Sequence, residues 1–525
     1  MQKIVDFRRA DELLQALTAR YIVAKLVAQV ALVKDRAVKD PEYRFLLHEI
    51  NKKKAHKPLR VLFKNIPTLL SQLKPCLLMS PLSVAQYLEA GTTPFDVVIF
   101  DEASQIPVWE AVGAMARGTQ VIVVGDPKQL PPTNFFAAGN SQQSDEVDED
   151  APMEDLESIL DESLGVGLPT LTLAWHYRSR HESLISFSNQ HYYQGQLLTF
   201  PGATTEDTGV SFRLVDGVYD RGRTRTNRIE ADAVVDAIQN HFQGPNGQHW
   251  SLGVVTFNQA QQQLIEELWE RRLSAVPHLE ALVNRAAETL FIKNLENVQG
   301  DERDVVFFST TFGKDEAGRM AMTFGPLNKE GGHRRLNVAI TRARTGVVIF
   351  SSMKADDIDL TRTKAQGVLD FREYLAWAAN GGTDPRRFSS PRERGSASLE
   401  EMIAKALKQR GWMTQTDIGL SNSGLDIGVI DPQNSDRYLL GILTDGESYR
   451  NLPTARDRER LREKVLKRLG WELHRLWAID WWTDPEKELD RVEKILQERL
   501  SGNRDIQPKD AESRKTAGFP VDQEN

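Results

Sequence analysis

Four side chains in the stretch from Phe95 to Thr133 carry the clearest chemistry in the sequence: Asp101, Glu102, Asp126 and Gln129. Val97, Val98, Ile99 and Phe100 precede the first acid with no polar alternation. That pattern predicts a strand buried on both faces of a parallel sheet. Asp101 and Glu102 then fall at its carboxyl end, where open α/β sheets place their ligands. A carboxylate there can hold Mg²⁺ through its water shell and bridge to phosphates. A second one beside it can polarise an attacking water. The apolar run Val121 to Val124 ends in the same way, in Gly125 and Asp126, and Gln129 follows as a neutral donor able to touch a γ-phosphate. One acidic pair alone more often marks a helix N-terminus. Two successive strands ending in acids favour a ligand site.

The rest of the chain supplies elements that would position further polar groups. Tyr177 and Arg178 stand where a strand in LTLAWHYRS feeds a helix. Arginine suits polyphosphate because it stays charged and binds as a fork, and tyrosine offers a flat face to a base. Residues 252–269 read as a buried strand, a turn and an amphipathic helix. Gln299, Gly300 and Glu302 come just before the strand Val305 to Ser309, with Gly300 allowing close backbone approach. Arg335 and Arg342 are seven apart, hence on one face of a helix, with Asn337 and Thr341 as an i, i+4 pair beside them.

Composition bounds these readings. A chain of 525 residues, 40% hydrophobic, suggests about three globular domains. A net charge of −8 gives no bulk attraction for nucleic acid, so such binding would need local basic surfaces. One lies at Lys52, Lys53, Lys54, Lys57, Arg60 and Lys64, a solvated helix face or a track for a nucleic-acid strand. The single cysteine, Cys76, excludes an internal disulfide and a cysteine-based metal cluster. With no membrane-length apolar run and no signal-peptide core, a soluble cytoplasmic protein is expected. Residues 1–64 suggest two or three helices, one around Ala24 to Val38. The acid-dense block 144–162 reads as a mobile, solvated insertion.

In sequence and in order, DEASQ at 101–105, GDPKQLPPT at 125–133, the Tyr177-Arg178 pair, the Gln299-Gly300-Glu302 group and RRLNVAITRAR at 334–344 resemble superfamily 1 helicases. Within that superfamily they look like the branch that includes the nonsense-decay and DNA-replication helicases. The resemblance implies two RecA-like α/β domains of P-loop NTPase type, with ATP and Mg²⁺ between them and closure stepping a nucleic-acid strand along. It implies that Asp101 holds Mg²⁺ beside Glu102, that Tyr177 stacks on adenine, and that Arg178 reaches the γ-phosphate. Gln299, Gly300, Glu302 and Arg335 would contact phosphate, ribose and nucleic acid, with Arg342 as arginine finger. Ser80, in the expected strand and loop KPCLLMSPLS, would contact the nucleic-acid backbone, with Asn337 and Thr341 near it. The substrate class is single-stranded or duplex nucleic acid, DNA favoured, with no membrane role, and repair or defence is the expected setting.

The sequence contains no GxxxxGK[ST] loop to cradle the β- and γ-phosphates. The chain therefore reads as the C-terminal portion of a longer helicase, as a truncated gene product, or as one member of a split protein whose partner supplies that loop. The divisions expected are 1–64 (helical, part of the first helicase domain), 65–164 (first RecA-like domain, incomplete), 165–381 (second RecA-like domain), 382–398 (linker), 399–500 and a disordered tail 501–525. Residues 399–500 resemble the very-short-patch-repair-like branch of the restriction-endonuclease fold. By that resemblance Asp426 is a metal ligand, with Glu400 assisting. Where relatives show Glu-x-Cys-Asp-Gly, this chain has Leu443, Thr444, Asp445 and Gly446, and leucine cannot ligate a metal. Two readings follow for this domain, a helicase-guided endonuclease or a fold kept for binding DNA. In the second, Arg456, Arg458, Arg460, Arg462, Lys464, Lys467 and Arg468 would face phosphates.

Overall fold

The computed structural model describes residues 2–36, 40–89, 91, 95–132, 157–206, 209–286, 288–382, 398–421 and 424–502. Most of the acidic block, nearly all of the 382–398 linker and the tail lie outside the described residues. Two compact units divide the chain, Met1–Thr172 and Leu173–Asn525. Among the described residues, no helix is long and apolar enough to cross a membrane.

In the first unit, Gln2–Arg36 is one helix of 35 residues. The sequence suggested shorter pieces, but no glycine or proline interrupts this stretch. The helix Pro41–Ile50 then starts on Asp40, which accepts from the amides of Glu42 at 2.9 Å and Tyr43 at 3.4 Å. Part of the basic cluster is neutralised: Lys52 pairs with Glu49, and Lys64 with Glu89 at 2.8 Å. The strand expected ahead of Ser80 does not form. Leu78 is 95% exposed, and Ser80 instead caps the helix Pro81–Tyr87, accepting from the Ser83 amide at 3.2 Å. Strands β1 (Phe95–Phe100) and β2 (Gly118–Val123) pair in parallel. The expectation of two buried faces is corrected here, since Phe100 is 4% exposed but Ile99 is 63% exposed. Among the described residues only one apolar cluster, including Phe100, Ala103, Ala111, Ile159 and Leu160, covers this sheet.

The second unit holds two sheets. Strands β3 (Val210–Leu214), β4 (Leu252–Thr256), β5 (Phe291–Asn294), β6 (Arg303–Gly313) and β7 (Ala343–Ser352) form a parallel sheet of order β3-β7-β6-β4-β5. β4 is buried throughout, as its unbroken apolar run predicts. Helices Arg228–Gln243 and Gln259–Ala275, started by the Asn227 and Asn258 side chains, pack Val234, Ile238, Ile265 and Trp269 onto Phe307. The strand expected at residues 171–176 is reduced to one bridge, Trp175 to Leu198, because Leu171 and Leu173 are 96% and 84% exposed. The C-terminal sheet has the order β11-β10-β9-β8, from β8 (Thr414–Ile418), β9 (Leu425–Asp431), β10 (Asn434–Leu443) and β11 (Leu473–Arg475). Ile403, Leu407, Val492 and Leu496 bind helices Leu399–Gln409 and Pro485–Gly502 to it.

A buried carboxyl ties the parallel sheet together. Glu230, wholly buried, accepts from Ser309 Oγ at 2.7 Å, the Thr311 amide at 2.7 Å and Ser352 Oγ at 2.9 Å. Burial outweighs these hydrogen bonds and pushes the carboxyl up to about 7. A pKa raised on folding contributes stability that is present below the ordinary carboxylate range and is lost as pH rises through about 7. The loss expected by neutral to mildly alkaline pH is roughly 3 kcal/mol. Urea unfolding as a function of pH should show this slope, and Glu230→Gln should flatten it. An unchanged slope in that variant would place the effect elsewhere.

Candidate nucleotide-binding site

At the carboxyl ends of β1 and β2 the backbone sets the acids in place. The Val124 amide donates to Phe100 O at 2.8 Å, and the Ala103 amide donates to Val124 O at 2.9 Å. The two loops that carry Asp101, Glu102 and Asp126 therefore lie side by side. Glu102 takes a left-handed conformation at φ 53°, and its amide donates to Asp101 Oδ1 at 3.0 Å. A Cβ on Gly125 would come within 3.0 Å of Leu160 Cδ2 and 3.1 Å of the Ser104 amide nitrogen, so a larger residue would push these neighbours back by a few tenths of an ångström. Asp126 accepts from the Lys128 amide at 2.8 Å and from Gln129 Nε2 at 3.2 Å. Asp101 and Glu102 are exposed, as donors to a hydrated Mg²⁺ need to be.

In the second unit the corresponding groups gather at the opposite, amino edge of the parallel sheet. Glu302 precedes β6 and bridges two arginines, Arg178 Nε at 3.1 Å and Arg344 Nη1 at 3.3 Å. The Arg180 amide donates to Arg344 O at 2.8 Å, and the Arg303 amide donates to Arg342 O at 3.2 Å. Arg178, the segment after Gly300 and the start of β7 thus form one cluster. Gly300 has φ +85°, which the turn into β6 requires. Tyr177 is 57% exposed and open to stacking. Behind it His176 is pushed down to about 4, by burial and then by Arg178, so it stays neutral. It shares a 2.9 Å hydrogen bond with Ser179 Oγ.

Two expectations for the arginine helix are corrected. The helix Gly332–Ile340 ends before Arg342, so Arg335 and Arg342 do not share its face. Thr341 Oγ1 accepts from Arg342 Nη2 at 3.0 Å and donates to Asn337 O, while Arg342 Nε donates to Val338 O at 2.7 Å. Arg335 is 1% exposed, with Nη1 on Glu330 O at 3.1 Å and Nε 3.8 Å from Glu296. Asn337 is interior as well and donates to Tyr193 Oη at 3.1 Å, so it presents no surface to a strand. Sequence reasoning missed Arg344, which also binds Glu288 at 3.0 Å and Asp304 at 3.2 Å. Burial raises the Asp304 carboxyl, but the Ser251 backbone hydrogen bond, Arg344 and the Ser251 hydroxyl outweigh it and hold it below the ordinary range. The signal was present in the TRART run, where the second arginine opens an apolar strand.

In the endonuclease-like domain the residues expected as metal ligands, Asp426 and Glu400, both accept hydrogen bonds from the protein. Asp426 Oδ2 accepts from the Thr444 amide at 2.8 Å, and Oδ1 accepts from Ser448 Oγ and from Arg462 Nη2 at 3.3 Å. Glu400 Oε1 accepts from Thr444 Oγ1 at 2.7 Å. Leu443 is 1% exposed and packs with Trp471 and Leu466, while Asp445 turns away to cap the helix at the Ala478 amide, 2.8 Å. A cavity of about 540 Å³ lined by Glu400, Asp417, Asp426, Glu447 and Arg450 lies over these groups. No cluster of three or more metal-type ligands exists among the described residues. Arg462 is fully buried, which also removes it from the expected phosphate-facing row, and Arg458 lies over the Tyr449 ring.

Fold and site together define a helicase-type chain with a C-terminal restriction-endonuclease-like domain. Two family models described as AAA domains match residues 77–136 and 156–354, and the family REase_MTES_1575 matches residues 399–496. More narrowly, the chain is related to superfamily 1 helicases of the nonsense-decay type. It is 31% identical over 454 residues to the "Uncharacterized ATP-dependent helicase MG140 homolog" of Mycoplasma pneumoniae, covering 83% of this chain and 40% of that protein. "Helicase SEN1" of Saccharomyces cerevisiae is 24% identical over 311 residues, 56% of this chain and 13% of that protein. The chain thus spans well under half the length of these relatives. A solved structure, "The structure of PRRSV helicase", overlaps 50% of this chain and 36% of its own at 14% identity, with a TM-score of 0.24, too slight to argue from.

Proposed function

We propose that this chain works in ATP-driven translocation along, and unwinding of, nucleic acid, with DNA the favoured track. The observation that carries this reading is the Arg178–Glu302–Arg344 cluster with Arg342 beside it at one sheet edge. Such a set of arginines suits a polyphosphate whose charge spreads during transfer. In this reading Asp101 holds Mg²⁺ through water, Glu102 orients the attacking water, and Asp126 with Gln129 reads the γ-phosphate. Tyr177 stacks on the base, and Gln299, Gly300 and Arg335 support the phosphate and ribose contacts. Ser80 and Thr341 line the nucleic-acid track. Residues 65–164 and 165–381 act as the two motor domains, joined through residues 382–398 to the domain at 399–500. The reading needs a phosphate-cradling loop that this sequence does not contain. A second reading is a non-catalytic nucleic-acid-binding subunit that works with a partner polypeptide supplying the loop.

Single-strand-stimulated ATP turnover separates the two, measured on the chain alone and with added polypeptide bearing GxxxxGK[ST] from a relative. In the turnover-competent mixture Glu102→Gln should lower the rate by about a hundredfold or more. A rate untouched by that change would remove Glu102 from the site. Strand binding by the chain alone, with turnover only in the mixture, would select the second reading.

A further inference from the structure

The segment Leu198–Glu206 is shared by two parts of the second unit. On one side it pairs with the stretch ahead of Tyr177: the Leu198 amide donates to Ala174 O at 2.7 Å, and Leu198 O accepts from the His176 amide at 2.9 Å. On the other it is built into the endonuclease-like domain. Ala203 O accepts from the Tyr438 amide at 3.1 Å, the Thr205 amide donates to Asp436 O at 3.0 Å, and Trp471 Nε1 donates to Pro201 O at 2.8 Å. Phe200, 2% exposed, belongs to the same apolar cluster as Leu425, Leu443 and Trp471.

Glu182 closes this arrangement. It follows Arg178 by four residues, at the entrance to the helix Ser183–His191, and is 5% exposed. Its two carboxylate oxygens accept from the Leu420 amide at 3.0 and 2.9 Å, and one also accepts from Thr199 Oγ1. Ser421 Oγ donates to Thr199 O at 2.6 Å and accepts from the Thr199 amide at 3.2 Å. A buried carboxylate is retained only where donors meet it, and a charged acceptor makes stronger hydrogen bonds than a neutral one. One side chain therefore fixes the loop between β8 and β9 to the end of the Tyr177–Arg178 segment. A helix cap alone would leave the carboxylate facing its own amides, but here it reaches a residue 238 positions away.

We propose, resting on the nucleotide reading above, that Glu182 is a positioning residue. It locks the Tyr177–Arg178 loop to the endonuclease-like domain, so that nucleotide engagement and the state of that domain are coupled. Coupling of this kind is reciprocal: whatever nucleotide does to the Leu420 loop, a ligand on the C-terminal domain does to Arg178.

Hydrogen exchange read by mass spectrometry tests this, in the mixture with the loop-bearing polypeptide, with and without a non-hydrolysable ATP analogue and Mg²⁺. In the wild-type chain the analogue should slow exchange both at Tyr177–Arg178 and at Leu420, by about tenfold. Glu182→Ala should abolish the response at Leu420 while β4 and β6, the monitors of intact folding, keep their protection. Glu182→Gln, which retains an acceptor, should restore part of it. A Leu420 response that survives Glu182→Ala, or a wild-type Leu420 that ignores an analogue to which Tyr177–Arg178 responds, overturns the proposal. If neither segment responds, the nucleotide reading has failed and the coupling is judged by Ser421→Ala. Faster exchange at 176–180 from that remote change supports the lock, and unchanged exchange refutes it.

Discussion

Arg462→Ala should destabilise the second unit by about 3–5 kcal/mol, the cost of leaving one member of a buried ion pair without its partner. Arg462 is fully buried, with Nη2 on Gly424 O and on Asp426, itself 6% exposed. Truncation removes the countercharge and leaves a cavity beside the carboxylate, and the two losses act in the same direction. Urea unfolding followed by tryptophan fluorescence, with Trp471 in the adjoining cluster, measures it. The double change Asp426→Asn with Arg462→Met should recover most of the loss, because a neutral pair needs no countercharge. A loss below about 0.5 kcal/mol would show that the pair is idle and would reopen Asp426 as a metal ligand. The same ion pair explains why Mn²⁺ titration of the wild-type chain should find no site at Asp426: the oxygens a cation would need already accept from Thr444, Ser448 and Arg462.

The second large effect belongs to Arg342. In a turnover-competent mixture, Arg342→Ala should lower ATP turnover by about a thousandfold, the usual scale for an arginine that stabilises phosphoryl-transfer charge. Nucleotide affinity should fall far less, since the contact is made in the transition state. Arg342→Lys should not rescue, because an ammonium lacks the fork. The structure adds a condition: the guanidinium is 6% exposed and folded back onto Val338 O and Thr341 Oγ1. Reaching a phosphate requires it to leave those acceptors, so Thr341→Val, which frees Nη2, should alter turnover while leaving the fold intact. A turnover loss below about tenfold for Arg342→Ala would assign the finger to another arginine, with Arg344 next in place.

How far the sequence foretold all this depends on the range of the forces involved. The acids at Asp101, Glu102 and Asp126 were legible because a strand end and its next residues are local, and the structure sets both loops side by side. The strand expected at 171–176 was not, because its leucines carry strand propensity but find no partner strand, and burial decides such runs. Arg335 and Arg342 were placed on one helix by spacing alone, yet the Thr341 side chain and the start of β7 end the helix first. The place of the second group was legible, since Gln299, Gly300 and Glu302 read as lying just before a strand. Ligands of open parallel sheets usually gather at carboxyl ends, but Glu302 and Arg342 precede their strands, at the amino edge. Arg462 read as one more cation in a basic row, because nothing in a linear sequence shows that Asp426 stands opposite it.

The shared segment Leu198–Glu206 alters how this chain should be divided. Homology draws a boundary between residues 354 and 399, as though the parts on either side were modules that could be exchanged. Calorimetry counts differently, by which parts lose their structure in the same step. Phe200, Pro201 and Thr205 belong by sequence to the parallel-sheet region and by packing to the four-stranded one. Neither region can melt without stripping the other of part of its core. Heat should therefore unfold the two sheets in a single transition, and a chain cut in that stretch would be two half-finished proteins rather than two domains.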